Sequence, residues 1–151
     1  MNTLKFQTQI NAPKDRVWNA LWDPANYREW TRAFSDSSHF DGELKQGKEI
    51  DFLDGDNNGM YARVETLKPN EEMAFRHVGE IRAGQRQDPS TEWGNNLESY
   101  SLSEVNGRTT LDVSVDAPDE YAAQMNDMFP KALANLKALA EKQHRRADSS
   151  F

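Results

Sequence analysis

The sequence predicts an α+β fold: a curved antiparallel sheet of about seven strands, two short helices after the first strand, and a long C-terminal helix packed on the sheet. Three observations carry this reading. From Asp119 to about Arg145, the residues Met125, Met128, Phe129, Ala132, Leu133, Leu136, Leu139 and Ala140 recur at the spacing of one helical face. Most of the chain before that helix alternates apolar and polar residues between short turns. The turn Asn106-Gly107, with Val105 before it and Thr109 to Asp116 after it, is the strongest hairpin signal in the chain. An apolar helical stripe at the end of a β-rich chain has to be buried on the sheet. The space between them is then either a filled core or a ligand cavity.

The elements follow in order. Leu4, Phe6, Thr8 and Ile10 alternate with Lys5, Gln7, Gln9 and Asn11, the pattern of a half-buried strand. Pro13 ends that ladder and suits the first turn of a helix carrying Val17, Trp18, Leu21 and Trp22. Asp23-Pro24 breaks this helix and caps a second one running towards Trp30. Phe34 to Phe40 is the weakest strand signal, and Lys48 to Leu53 a clearer one. The polar run Asp54 to Gly59 is a turn, as is Lys68-Pro69-Asn70-Glu71 between the strands Met60 to Leu67 and Met73 to Val78. Asn96 to Val105 and Thr109 to Asp116 form the last hairpin. The segment Gly79 to Gly94 has no period and reads as a functional loop over the interior. Pro118-Asp119-Glu120 opens the final helix with acid in its first turn. Residues 1–146 read as a single domain and 147–151 as a frayed tail.

Composition narrows the function. The formal charge is −7, from 25 acidic and 18 basic residues, which argues against nucleic acid because phosphate contacts need clustered Lys and Arg. The absence of cysteine removes disulfides, zinc–thiolate sites, iron–sulfur clusters and thiol nucleophiles at once. With no apolar run of signal-peptide or membrane-spanning length, the expected location is cytoplasmic. Only His39, His77 and His144 are available as imidazole ligands, without close spacing, and Asp51, Asp54 and Asp56 lack the length and terminal Glu of a calcium loop. Neither a metal nor a cofactor is expected.

Several stretches taken in order resemble a known family. Ile10-Asn11-Ala12-Pro13, continuing through Val17-Trp18 to Ala20-Leu21, looks like the opening signature of the homologue family of the activator of the ninety-kilodalton heat-shock chaperone's ATPase. Asp23-Pro24 with Tyr27 and Trp30, the hairpin from Gly59 to His77, the run Gly107 to Leu111, and the helix Phe129 to Leu139 are similar to its later segments. That family sits in the SRPBCC (START-like, helix-grip) superfamily. The resemblance implies a helix-grip fold: an antiparallel sheet curved around the last helix, with a cavity between. It implies no single activity, since the superfamily hosts lipid carriers, polyketide cyclases and chaperone activators. Two features depart from the family. Pro130 lies inside the final helix, and the chain has no room for the separate N-terminal domain that contacts the chaperone.

His77 is in phase with Met73 and Phe75 on the face assigned inward, and Glu98 is in phase with Tyr100 and Leu102. A His77–Glu98 pair across adjacent strands would serve as an acid/base couple or as a structural ion pair. His77, Glu98 and Tyr100 are therefore the catalytic candidates. The expected ligand-binding wall is Phe52, Phe75, His77, Trp93, Tyr100, Met125, Met128 and Phe129. The leading function is a module that binds a hydrophobic or amphipathic small molecule, because it needs only the architecture. The alternatives are a cyclase- or hydrolase-type enzyme using His77 as base, and docking of a chaperone or of a second copy of the chain as a homodimer.

Overall fold

A computed structural model describes residues 2–89 and 96–148. The elements run β1 (Asn2–Ile10), α1 (Lys14–Trp22), α2 (Pro24–Trp30), β2 (His39–Asp41), β3 (Glu49–Leu53), β4 (Gly59–Lys68), β5 (Glu72–Arg82), β6 (Gln85–Arg86), β7 (Leu97–Val105), β8 (Arg108–Ala117) and α3 (Asp119–Asp148). The sheet is antiparallel, ordered β1-β8-β7-β5-β4-β3-β2, with β6 paired to β5. Its concave face receives α3, which packs on β1 and β8 and meets α1 and α2 along its C-terminal half. This is the helix-grip architecture.

Local chemistry explains the elements. The Asp23 side chain accepts the N–H groups of Ala25 and Asn26, and Pro24 occupies the first helical position, so α2 starts where its donors are satisfied. In α3, Asp119 and Glu120 sit in the first turn and Arg145 and Arg146 in the last, each complementing the helix dipole. Leu133, Leu136 and Ala140 are buried against the sheet and α1. Pro130 is exposed, so its missing N–H costs a hydrogen bond on the solvent side only.

Two bulges shape the sheet. Across the β4–β5 ladder, Glu65 and Val78 have no partner, and the register steps there by one residue. A bulge bends its strand and raises the local twist, which wraps the hairpin towards α3. The Val78 bulge also reverses the strand's phase: His77 pairs with Ala62 on the concave face, while Gly79 pairs with Tyr61 on the convex face. A Cβ at Gly79 would lie 3.0 Å from the Tyr61 ring and hydroxyl, so any larger residue there would push the ring aside. That hydroxyl donates to the Gln87 carbonyl at 2.7 Å, and the Arg86 guanidinium caps the ring at 4.8 Å while bonding Glu49 and Asp51.

Three expectations are corrected. Phe34 to Phe40 yields strand only at His39–Asp41; a 3₁₀ turn at Thr31–Ala33 and the turns after it turn Phe34 onto Phe129 instead. The segment from Gly79 is not one loop, because β5 runs on to Arg82 and returns through β6 around a tight turn at Ala83-Gly84. The last helix runs to Asp148, past the end expected at about Arg145.

Candidate functional site

The N-terminal half of α3 stands away from the sheet and leaves a cleft of about 330 Å³. Its walls come from α2 (Tyr27), the turn after it (Phe34, Ser38), β3 (Phe52), β4 (Met60) and α3 (Met125, Met128, Phe129), with His77 and Glu98 supplied by β5 and β7. Gly59 opens β4 beside Phe52; a Cβ would meet the Phe52 carbonyl oxygen at 1.7 Å, so only glycine lets these two backbones come together at the rim.

The polar centre is a chain of three side chains. His77 Nε2 lies 3.1 Å from Glu98 Oε1, and the Tyr100 hydroxyl donates to Glu98 Oε2. An ionised carboxylate only accepts, so Nε2 carries the proton and Nδ1 is the acceptor in the neutral ring. Nδ1 is buried and has no hydrogen-bond partner among the described residues. The strand is fixed by the His77 N–H, which donates to the Asn96 carbonyl at 2.8 Å. Burial pushes the Glu98 carboxyl up, but the hydrogen bond and charge of His77 and the hydroxyl of Tyr100 outweigh it, holding the group below the usual carboxylate range. Burial and the Glu98 charge push both the Tyr100 and Tyr27 phenols up, so both remain protonated donors.

Of the expected wall, Phe52, His77, Met125, Met128 and Phe129 line the cleft together with Glu98. Phe75 and Tyr100 do not line it. They are buried behind it, because Trp22 of α1 packs edge-on against both, at 5.5 Å and 4.9 Å between ring centres. Tyr100 reaches the site only through its hydroxyl on Glu98. Trp93 lies outside the described residues. The sequence reading missed Tyr27, Phe34, Ser38 and Met60. Tyr27 had a signal, since an aromatic three residues before Trp30 shares its helical face; the turn residues had none.

Among the described residues, no three His, Asp or Glu side chains gather as a metal ion would require, and no helix is long and apolar enough to cross a membrane.

Similar folds recur among solved structures. The Aha1 dimer from Colwellia psychrerythraea is 19% identical, with 93% of this chain and 97% of that one covered at a TM-score of 0.73. Protein MLL2253 from Mesorhizobium loti is 14% identical, with 93% and 98% covered at 0.74. DynU16, of the dynemicin biosynthetic locus, is 18% identical at 0.71; the match covers 95% of this chain but only 49% of that protein. Such identities speak for the fold alone. No curated protein matches the sequence. The family described as Activator of Hsp90 ATPase homolog 1-like protein matches residues 11–141, nearly the whole of the grip from the end of β1 to the last turns of α3. The chain therefore belongs to the Activator of Hsp90 ATPase homolog 1-like family, within the SRPBCC superfamily.

Proposed function

We propose that the protein binds an amphipathic small molecule in the cleft between β3, β4 and the N-terminal half of α3, and that it acts in the cytoplasm. The observation that carries this reading is the cleft itself: about 330 Å³ walled by aromatic and methionine side chains around one buried polar couple, His77–Glu98. Burying apolar ligand surface contributes about 25 cal/mol per Å², which makes such a wall the main source of affinity. Met125 and Met128 are half-buried and unbranched, so the wall adapts to ligand shape. Isothermal titration with a panel of aromatic and aliphatic probes tests it. Binding at micromolar affinity or tighter, lost in Met128→Trp at unchanged thermal stability, is expected. A panel in which nothing binds ends the proposal.

A second reading comes from the family match: docking on the Hsp90 chaperone, or self-association as in the Colwellia Aha1 dimer. Sizing by light scattering and stimulation of the chaperone's ATPase decide it. A monomer without stimulation removes it and leaves the cleft reading intact.

A further inference from the structure

The cleft has a chemical bias that its apolar walls conceal. No Lys or Arg is among the described residues that line it, while three carboxylates do: Asp54, Glu98 and Asp116. Backbone N–H groups tie down two of the three. Asp54 Oδ1 accepts the N–H groups of Asp56 and Asn58. Asp116 accepts from the Thr3 hydroxyl and the Leu97 N–H, and feels the charge of Arg76. Glu98 is different. Its side chain keeps 21% of its surface exposed, and each of its oxygens has accepted one hydrogen bond, leaving a lone pair on each for a ligand. The two donors that touch it, the His77 Nε2–H and the Tyr100 hydroxyl, are both spent on Glu98. Beside the Glu98 oxygens lies the Nδ1 of the His77 ring, an acceptor while that ring is neutral and without a partner among the described residues, its side chain nine-tenths buried in the same wall. Around them stand the rings of Tyr27, Phe34 and Phe52, whose negative faces attract cations.

A negatively charged ligand head therefore meets no opposite charge among the described lining residues, only neutral donors such as the Tyr27 hydroxyl and the Asn58 and Gln124 amides. A head that donates meets several. Taking the cleft to be a ligand site, as proposed above, we infer that it selects an amphipathic amine, its ammonium seated against Glu98 between aromatic faces, over a neutral alcohol and above all over a carboxylate.

Three probes of matched size isolate the head group: phenylbutylamine, phenylbutanol and phenylbutyrate. Titrated into the wild-type protein at neutral pH and low salt, the amine binds about tenfold more tightly than the alcohol, as one desolvated charge–carboxylate contact with aromatic neighbours supplies. The carboxylate binds more weakly than the alcohol. Glu98→Gln, which keeps the side-chain shape, brings amine and alcohol affinities together. Asp54→Asn, which keeps the turn's acceptor oxygen, retains most of the preference and guards against a Glu98→Gln variant that fails to fold. If the alcohol or the carboxylate binds as tightly as the amine, the charge inference is overturned and the cleft reading survives. If none of the three binds, the cleft reading falls and the inference falls with it.

Discussion

The two halves of α3 face the same sheet and do different things. Beyond Pro130, the stripe Leu133, Leu136 and Ala140 is fully packed against the sheet and the α1 region. Before Pro130, Met125 and Met128 are only half-buried and form the wall of a cleft. The difference comes from what lies opposite. The C-terminal half meets α1 and is tied down by Lys137, which bonds the Gln9 carbonyl and Glu141, and by Glu141, which accepts the Asn11 N–H. The N-terminal half rests on Phe6 and Phe34 through Phe129 and faces β3 and the start of β4 across the cleft. One amphipathic period thus encodes a core at one end and a binding wall at the other, and the partner layer decides which.

The most damaging way to probe this contrast is Leu136→Ala. A buried leucine removed from a packed core costs about 2–5 kcal/mol, read as a lowered urea midpoint at unchanged slope. Next comes Tyr100→Phe. Its hydroxyl donates to a buried carboxylate, and losing such a bond costs about 1–3 kcal/mol, measured by the same denaturation. An acid titration of stability follows. The folded Glu98 carboxyl titrates below its unfolded value, so its contribution is present above the ordinary carboxylate range and is lost as pH falls through the folded value. Glu65, bonded to Arg76, and Glu141, bonded to Asn11 and Lys137, are held low as well and share that loss. Stability measured from neutral pH downwards therefore falls in wild type and falls less steeply in Glu98→Gln. The smallest effect is Met128→Ala, expected to cost under about 1 kcal/mol because the side chain is already half-exposed, while weakening aromatic-probe binding severalfold. Equal destabilisation by Met128→Ala and Leu136→Ala would erase the distinction between the two halves.

Sequence legibility followed the same divide. The stripe of α3, the alternation of β8 and the Asn106-Gly107 turn could be read directly because each is a local pattern with one period. The inward phase of His77 and Glu98 could be read too, since each strand alternates regularly up to that point, and the structure brings the two side chains into contact. What lay behind them could not. Phe75 and Tyr100 share the inward phase with His77 and Glu98, but Trp22 seals them, and only the docking of α1 determines that. The bulge at Glu65 has no glycine or proline to announce it, and Gly79 beside the Val78 bulge read as the start of a loop, so the extension of β5 was missed. Tyr27 and Phe34 reach the cleft through turns whose direction depends on tertiary packing.

The unpaired residue at Val78 has a consequence for how this protein can change. Because strand parity reverses there, positions before it belong to the ligand's surroundings and Gly79 and Ile81 after it belong to the outer clamp of Tyr61 and Arg86. Substitutions on one side leave the other side's neighbours untouched, so selectivity and the anchoring of the β5–β6 tip can drift separately. A single-residue deletion at Val78 would join the two, swinging the tip's outward side chains into the interior.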